Sequence, residues 1–311
     1  MSDARESCAR AFAPGHVTGV FRPEASGRDP RSRGSVGAGV VLELGAWAEA
    51  RFAPGPRTRL RVRGDGPGPW PISEEVARRL APRETGTLSV RLSHELPVGQ
   101  GFGMSAAGAL ATALAVGALS GRPRPESISV AHLADLFGGG GLGGVAAILG
   151  GGLEVRRRAG VPPFGEVLHR PFVPRLWVGV LGKPIPSPSV LGNPVALRRI
   201  ARAAEGWERL LDRPTPERFL EESERFTDRA GLAAPRVRRA VKALRRCGAL
   251  ASQAMFGASF FALAPTGSAR RASVEWMRKA QVRAVEVNAA TTGARLVPRR
   301  GGSSLSRGLL R

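Results

Sequence analysis

The chain has 311 residues, 42% of them hydrophobic, which is enough for one or two domains with a full core. Its two cysteines, Cys8 and Cys247, are too few for a disulfide framework or a cysteine-based metal site. No stretch approaches the roughly 20 apolar residues that span a bilayer, and residues 1–10 are charged and lack the apolar region of a secretory signal. We therefore expect a cytoplasmic protein with no membrane partner.

The charge of the chain is strongly basic. Its 47 Lys and Arg against 25 Asp and Glu give a formal net charge of +22. The basic residues are scattered and almost all are arginine, as expected of a GC-rich genome. Aromatic residues make up 5% with no tyrosine, so platforms for base stacking are scarce. The composition argues against specific nucleic-acid binding, and the positive field is sufficient to attract anionic small molecules.

The first 80 residues are predicted to form short elements separated by glycine- and proline-rich segments. In chain order these are a mobile leader (1–10), a polar loop (24–32), a glycine-rich segment (34–39), a strand (40–47), an edge hairpin with a loop (51–68) and a helix (71–80). For the glycine-rich segment, a contact of Ser35 with substrate and a plain glycine turn are equally expected. His16 follows a Pro-Gly turn and stands two residues before Thr18, a setting in which a functional and a structural histidine are equally expected.

A strand with one buried face is predicted over residues 87–93. Leu88, Val90 and Leu92 alternate with polar residues, which is the period of two that a half-buried strand shows. Pro97 lacks a backbone donor and is expected to stop this strand.

A glycine loop and a helix follow the strand. Gly99, Gly101 and Gly103 occupy alternate positions, so the backbone there can adopt angles that side chains forbid. Ser105 is predicted to cap a helix over residues 106–119, which carries no charge and is expected to be buried. Backbone N–H groups in such a loop, together with the positive end of a helix, favour binding of a phosphate.

Glycines in this arrangement also occur in three other kinds of loop. A tight turn that merely links a strand to a buried helix has the same glycines. The dinucleotide-binding fingerprint requires a glycine where Met104 stands, and the P-loop requires a lysine there. The tight turn therefore stays open, and among phosphate loops the sequence favours one of a different kind.

The rest of the chain is predicted to alternate helices and short strands. The predicted elements are helices at 127–137, 193–211, 215–230 and 237–246, strands at 176–181, 260–263 and 282–287, a glycine-rich loop at 138–152, a proline-rich connection at 183–188, a turn at 291–295 and a low-complexity tail at 301–311. Asp135 lies near the end of the first of these helices.

Residues 97–107 resemble the Pro-x-x-x-Gly-Leu-Gly-Ser-Ser-Ala-Ala motif of the GHMP kinases, the family of galactokinase, homoserine kinase and mevalonate kinase. Phe102 replaces the Leu of the motif and Met104 replaces its first Ser. The sequence of residues 96–109 is similar to that of the pantoate kinase branch of the family, which serves coenzyme A synthesis in archaea.

Two further stretches resemble motifs of the same family. Residues 11–21 resemble the first motif, in which the pantoate kinase form has a histidine at the place of His16, and residues 251–263 resemble the third. The resemblance implies that His16, Thr18 and Gly257 contact the acceptor substrate.

The resemblance extends over residues 11–297 and implies an α+β fold, namely the two-lobed GHMP kinase fold with the active site in the cleft between the lobes. An N-terminal lobe is expected at 11–165, a C-terminal lobe at 166–297, and flexible tails at 1–10 and 298–311. Recurrent short strands and helices without strict alternation agree with this class.

The implied activity is an ATP-dependent transfer to an alcohol, which in the pantoate kinase branch is the primary hydroxyl of pantoate. Ser105 and Asp135 are the implied catalytic pair and ligands of Mg²⁺, with Asp135 in place of the usual Glu. Gly144 stands where relatives carry an Asp that orients or deprotonates the acceptor hydroxyl. The residues implied to hold ATP are Pro97, Gly99, Gln100, Gly101, Phe102, Gly103, Met104, Ser105, Ala106 and Ala107.

Several alternatives stay open at the level of sequence. The chain resembles a family that also phosphorylates homoserine and mevalonate derivatives. Gly144 and the net charge leave room for a non-catalytic descendant that binds a ligand or RNA. An arginine or His16 is expected to meet the substrate carboxylate, but the sequence does not indicate which arginine, and it leaves a homodimer open.

Overall fold

The computed structural model describes residues 6–66, 68–185 and 187–298, and these form an α+β architecture of two sheets with helices packed on them. The strands are β1 (Ser7–Glu24), β2 (Gly34–Pro54), β3 (Arg59–Arg63), β4 (Gly86–His94), β5 (Leu153–Arg158), β6 (Glu166–Arg170), β7 (Leu176–Val180), β8 (Ala251–Gln253), β9 (Ser259–Leu263), β10 (Ala284–Val287) and β11 (Arg295–Leu296). The helices are α1 (Pro71–Leu80), α2 (Met104–Leu119), α3 (Arg124–Phe137), α4 (Gly144–Ala147), α5 (Ser187–Leu191), α6 (Pro194–Ala203), α7 (Arg209–Asp212), α8 (Pro216–Ala230), α9 (Pro235–Arg246) and α10 (Gly267–Lys279).

The larger sheet is organised around β2. This strand of 21 residues pairs with β1 along one side, and on its other side it pairs first with β5 and then with β4. The order of strands is β11-β1-β2-β4-β3, with β5 and β6 continuing from the first half of β2. Strands β3 and β4 run parallel and the other pairs are antiparallel. Because β2 touches three strands, residues distant in sequence meet across it.

Helix α2 fills the centre of the first half of the chain. It packs against β1 and β2 on one side and is covered by α1 and α3 on the other. Its 16 residues are Ala, Gly, Leu, Val, Met, Ser and Thr with no charge, as required of a helix buried on all sides. The apolar residues predicted for the preceding strand, Leu88, Val90 and Leu92, are at most 3% exposed and face the same core.

The second sheet has four antiparallel strands in the order β10-β7-β9-β8. Helix α9 packs on β8 and β9, and its predicted inward residues Val237, Ala240, Val241 and Leu244 are all buried. Thr215 caps α8, as its place before Pro216 suggests. The prediction of α1 at 71–80 is also confirmed. The expected two-part α+β architecture is therefore present.

Two predictions near the N-terminus are wrong. Residues 7–10 belong to β1 and not to a leader, because they pair with residues 49–52 of β2; the leader's residues 1–5 lie outside the described residues. Residues 34–39 are the start of β2 and not a turn, since they pair with β1 on one side and, from Gly37 onward, with β5 on the other. The glycines there serve contacts between strands and do not reverse the chain.

Two further elements differ from their predictions. β3 is an edge strand as expected, but it forms no hairpin with β2, because β4 already occupies that side of β2 and β3 pairs with β4 instead. The single helix predicted over 193–211 is divided into α6 and α7, because Gly206 has a φ of 80° and interrupts the helical path. The predicted tail at 301–311 lies outside the described residues.

The expected lobe boundary at 165/166 falls between two strands that pair with each other. β5 and β6 form an antiparallel ladder in the larger sheet, and β11 returns from the end of the chain to pair with β1. The second sheet begins only at β7. If the boundary is placed after β6, the strands of each sheet lie on one side of it. The exception is β11, which belongs to the larger sheet but follows the second sheet in sequence. No helix in the described ranges is long and apolar enough to cross a membrane.

Candidate active site

The glycine loop between β4 and α2 has the backbone that its sequence predicts. Gly99, Gly101 and Gly103 have φ values of 75°, 76° and 69°, in the left-handed region that side chains disfavour. A Cβ atom at Gly101 would also lie 2.6 Å from the carbonyl oxygen of Met255. Glycine is therefore required at these positions both for the turn and for the close approach of the second half of the chain.

Neighbouring elements hold the carbonyl oxygens of this loop. Three separate parts of the chain donate hydrogen bonds to these carbonyl oxygens: the segment after β7, strand β9 and strand β1. The bonds run from Ile185 N to Gly99 O (2.9 Å), from Ser259 Oγ to Gln100 O, and from His16 N to Phe102 O (3.0 Å). Because carbonyl oxygens repel phosphate, their engagement in these bonds favours an anion at the loop.

Helix α2 begins at Met104, two residues earlier than expected. Its N-cap is Gly103 in the left-handed conformation, and no side chain caps the helix. Ser105 is therefore the second residue of the helix and not its cap, which corrects the sequence-based prediction. The first N–H groups of a helix have no partner within it, and they carry the positive end of its dipole. This start of α2 is a site where an anion is stabilised.

Ser105 instead bonds to Asp135 of α3. Its hydroxyl donates to Asp135 Oδ1 over 2.7 Å. Burial raises the pKa of the Asp135 carboxyl to about 6, and the bond from Ser105 lowers it only in part. Gly140 lies against this carboxyl so closely that a Cβ atom there would be 1.9 Å from Oδ1. The glycine-rich segment after α3 thus encloses a carboxylate that gains strongly from a cation.

A cavity of about 260 Å³ opens beside the loop, α2 and this carboxyl. Both halves of the chain contribute to its walls, so it lies in the cleft that was expected between the lobes. Its residues are His16, Thr18, Phe21, Ser35, Val98, Gly99, Gly101, Phe102, Gly103, Met104, Ser105, Ala106, Asp135, Gly139, Gly140, Gly141, Leu142, Gly143, Gly144, Arg156, Ile185, Ser187, Met255 and Phe256.

Buried charges lie at the end of this cavity formed by β1 and β5. Glu154 Oε1 accepts from His16 Nε2 over 2.8 Å and from Arg156 Nη1. Burial raises the pKa of Glu154, but Arg156 and His16 outweigh it and leave that pKa lowered. Burial lowers the pKa of His16 more than Glu154 raises it, so the ring is neutral near pH 7. Arg156 is the one arginine among the described residues that line the cavity.

A second, larger cavity of about 710 Å³ lies on the other side of the start of α2. It shares Val98, Met104 and Ser105 with the first cavity, and the rest of its wall is largely apolar. The ring of Trp70 stacks on His94 with centroids 4.9 Å apart and planes at 11°. The two cavities therefore adjoin at the glycine loop and the first turn of α2.

Most of the residues expected to hold ATP or acceptor line one of these cavities. Three do not. Gln100 donates from Nε2 to Gly182 O over 2.9 Å, and Ala107 is buried in α2. Gly257 packs so closely against Gln100 that a Cβ atom at Gly257 would lie 2.1 Å from the Gln100 carbonyl oxygen. Gln100 and Gly257 thus fix the loop to the second half of the chain, and Ala107 belongs to the core.

Sequence reasoning missed Glu154, Arg156 and Trp70. The first two stand at alternate positions of β5, beside the apolar Leu153 and Val155, and Arg156 begins a run of three arginines that has the composition of a solvated face. Opposite charges two residues apart next to apolar residues are the pattern that would have singled them out, because charged residues are rarely buried unless they are paired.

Comparisons with known proteins give the family of this chain. Residues 72–152 match the family described as GHMP kinases N terminal domain, and residues 207–282 match GHMP kinases C terminal. The chain is 33% identical over 232 residues to the pantoate kinase of Thermococcus kodakarensis, covering 72% of this chain and 76% of that one. It is 30% identical over 258 residues to the pantoate kinase of Methanospirillum hungatei, covering 81% and 86%.

A solved structure described as a phosphotransferase related to the CoA biosynthesis pathway superposes with a TM-score of 0.84. It is 29% identical, and the match covers 94% of this chain and 99% of that one. The resemblance found in the glycine loop is thus confirmed over nearly the whole fold. The chain belongs to the GHMP kinase family.

Proposed function

We propose that this protein is an ATP-dependent kinase that phosphorylates the primary hydroxyl of pantoate, giving 4-phosphopantoate for coenzyme A biosynthesis. The observation that carries the proposal is Arg156, a buried arginine in the cavity beside the glycine loop. An arginine in this place suits an acceptor with a carboxylate, and its guanidinium can engage a carboxylate through two parallel bonds.

The nucleotide is assigned to the larger cavity. Its largely apolar wall and the indole of Trp70, which lines it, suit a flat base, and its boundary with the other cavity is the start of α2. The triphosphate is expected to lie on the N–H groups of Gly101, Gly103 and the first turn of the helix, where dipole and donors favour negative charge. The base and the acceptor then occupy opposite sides of the glycine loop.

Magnesium fits the residues present. Ser105 and Asp135 would hold it, since Mg²⁺ binds to few protein oxygens and keeps several waters. The raised pKa of Asp135, close to 6, shows that this carboxylate is poorly solvated, and a cation would offset that cost. The described residues contain no group of three or more His, Cys, Asp or Glu that could form a fuller cage. When bound, the ion neutralises charge on the phosphates.

The acceptor cavity matches the chemistry of pantoate, which carries a carboxylate, two hydroxyls and two methyl groups on one carbon. Arg156 and the hydroxyl of Ser35 supply polar groups at one end. Phe21 and Phe256, whose ring centroids are 5.4 Å apart, supply an apolar wall with Met255. A carboxylate at Arg156 and methyl groups at these rings would direct the remaining end of the molecule toward the glycine loop.

The residues of the chain supply alignment and charge stabilisation more than proton transfer. Gly144 offers no carboxylate, and His16 already donates Nε2–H to Glu154. Phosphoryl transfer passes through a loose transition state in which early removal of the hydroxyl proton matters little. The proton is therefore assigned to water or to the phosphate as the new bond forms, while the loop, α2 and Arg156 hold both substrates in line.

The test is a coupled assay of ADP release with pantoate, homoserine and mevalonate at fixed ATP. Turnover is expected with pantoate, and mass analysis is expected to show one added phosphate. Arg156→Gln should raise the KM for pantoate at least about tenfold, roughly 1.4 kcal/mol, while Arg158→Gln, an exposed change on the same strand, should not. Turnover with homoserine or mevalonate but not with pantoate would overturn the substrate assignment and leave the kinase.

A further inference from the structure

Glu154 has an unusual position among the charges of the acceptor cavity. It is fully buried, and a single oxygen, Oε1, accepts from both His16 and Arg156. Its other oxygen, Oε2, has no hydrogen-bond partner. An unpartnered buried carboxylate oxygen is costly, and buried ion pairs contribute little net stability. The arrangement is therefore poorly explained as a device for stability.

The contact between His16 and Glu154 spans three strands. In the register of the sheet, Thr18 of β1 stands opposite Gly39 of β2, and Gly39 stands opposite Glu154 of β5. A Cβ atom at Gly39 would lie 2.2 Å from His16 Nε2. The histidine ring thus crosses the middle strand through the space that this glycine leaves, and any side chain at Gly39 would block it.

The contact between Glu154 and Arg156 follows from strand geometry. Residues two apart on a strand share a face, so both side chains of β5 extend on the side where His16 arrives. The intervening Val155 and the preceding Leu153 point to the apolar core. Glu154 therefore lies between His16 and Arg156, the two side chains that line the acceptor cavity at this end.

The free donor of Arg156 is directed to that cavity. Its Nε has no partner, while Nη1 bonds to Glu154. A Cβ atom at Gly143 would lie 2.8 Å from this Nε and 2.6 Å from Ser35 Oγ, and both glycine and serine line the cavity. A buried N–H without a partner is rare and costly. It is the group that a ligand oxygen would satisfy.

We propose that Glu154 is a positioning residue, which holds Arg156 and His16 in the orientation that receives the carboxylate of the acceptor. The inference rests on the proposed function and deepens it, because it assigns to a buried acidic residue the recognition of an acidic substrate. Gly39 contributes to the same arrangement, because it leaves the space through which His16 reaches Glu154.

The charge of Glu154 makes this inference sharply testable. If the carboxylate acted only as a nearby negative charge, its removal in Glu154→Gln would strengthen the positive field and tighten the binding of pantoate. If it positions Arg156, the same change frees the guanidinium and weakens binding. Gly39→Ala alters no charge but displaces the His16 ring, and its Cβ atom would also lie 2.4 Å from the Val17 carbonyl oxygen of β1. A loss of pantoate binding in this variant therefore supports positioning only when nucleotide binding and the melting temperature are retained.

The experiment measures the dissociation constants of pantoate and of a nonhydrolysable ATP analogue by calorimetry, with initial rates, for the wild type and variants. Glu154→Gln and Gly39→Ala are expected to weaken pantoate binding at least about tenfold, or 1.4 kcal/mol, and to change nucleotide binding less than about twofold. Glu286→Gln is the matched control, because Glu286 also bonds to two arginines but lies in the second sheet.

Four outcomes overturn the inference. Tighter or unchanged pantoate binding in Glu154→Gln would assign only a charge effect to this residue. Unchanged pantoate binding in Gly39→Ala would remove the steric argument. Parallel loss of pantoate and nucleotide binding, with a lowered melting temperature, would indicate a structural role. A wild type that binds no pantoate overturns the proposed function itself, and is recognised without any variant.

Discussion

The hydroxyl of Ser105 donates a 2.7 Å hydrogen bond to Oδ1 of Asp135, and this bond joins the first turn of α2 to α3. The carboxyl so held is buried, and its pKa is raised to about 6 mainly by that burial. A group of this kind is unfavourable for the folded chain but well placed for a cation between helix start and phosphate. The cost of this carboxyl to the folded chain and its contribution to turnover are therefore expected to change independently in variants.

Asp135→Asn is expected to lower turnover at least about tenfold, which is about 1.4 kcal/mol of barrier. Because the pKa of Asp135 is raised by folding, its ionisation destabilises the folded state as pH rises from about 4 to above 6. The variant should therefore melt at an equal or higher temperature than the wild type at pH 7. Initial rates and thermal unfolding measure the two effects.

Glu126→Gln, an exposed change at the start of the same helix, is the control and should alter neither quantity. Unchanged kinetics in Asp135→Asn would remove this residue from the proposed metal site, and a large fall in melting temperature would contradict the raised pKa.

Ser105→Ala should also lower turnover at least about tenfold. Its cost in stability is expected to be about 1 kcal/mol, the worth of the bond to Asp135. Loss of a helix-capping serine would cost a similar amount. The two causes differ in whether the cost depends on the residue at position 135. Since the structure places the bond on Asp135, the cost should shrink in an Asp135→Asn background, and a double-mutant cycle of unfolding free energies measures this.

If the cost of Ser105→Ala is the same in both backgrounds, the hydroxyl acts on the helix and not on Asp135, and the sequence-based capping prediction would be restored.

Elements whose pattern is local were predictable from the sequence. Helix α1, the inward face of α9 and the buried face of β4 follow from the spacing of apolar residues. The positive φ values of the loop follow from glycines at alternate positions. The same holds for the pairing of Ser105 with Asp135, which the family resemblance implied and the geometry brings within a hydrogen bond.

Features that depend on distant pairing were not predictable. The glycines at 34–39 have the composition of a turn, and only the register of β1, β2 and β5 shows that Gly37 lies against the backbone of β1 and that Gly39 makes room for the His16 side chain. Arg156 could not be chosen among the 44 arginines, because its place in the cavity is set by the pairing of β5 with β2. No local pattern carries that information.

Trp70→Ala is expected to weaken nucleotide binding about tenfold, or 1.4 kcal/mol, since the indole lines the larger cavity and is held there by stacking on His94. Pantoate binding should change little, because Trp70 does not line the acceptor cavity. Calorimetry with a nonhydrolysable ATP analogue measures both. Phe137→Ala, at an aromatic residue that is 65% exposed, is the control; equal losses in the two variants would contradict the assignment of the nucleotide to this cavity.

Glu286 is expected to govern part of the acid sensitivity of the fold. Bonds from Arg270, Trp177 and Arg175 lower the pKa of its carboxyl to about 2. Because the pKa is lower in the folded state, the stabilisation is fully present above the usual value of about 4.3 and is lost as pH falls toward 2. Glu286→Gln should therefore lower the melting temperature by a few degrees at pH 7 and flatten its fall between pH 4 and 2.

The comparison variant is Glu166→Gln, whose side chain is exposed in β6 and pairs with the exposed Arg157 and Arg158. Parallel acid profiles for Glu286→Gln and the wild type would show that the three donors do not act through this carboxyl.

The last prediction concerns Gly144, the first residue of α4. Its φ is not in the left-handed region, so a side chain there is not excluded by the backbone. A Cβ atom would, however, lie 2.6 Å from Cβ of Ala106 in α2, so that one helix must move. Gly144→Asp is thus expected to lose about 1–3 kcal/mol of unfolding free energy and to lower turnover. Ala106→Gly should recover most of that loss in the double variant.

The wild type itself is expected to be active with Gly144, because a loose phosphoryl-transfer transition state needs alignment and charge stabilisation more than a base. The acid limb of its pH–rate profile should then follow the protonation of Asp135, which is ionised when it holds Mg²⁺, and no second limb from a catalytic base should appear. Rates and melting temperatures of the two single variants and the double variant, measured with ATP and pantoate, test both statements. A protein that binds ATP and pantoate without turnover, and that gains turnover in Gly144→Asp, would be a degenerate kinase, and the proposed activity of the natural chain would be wrong.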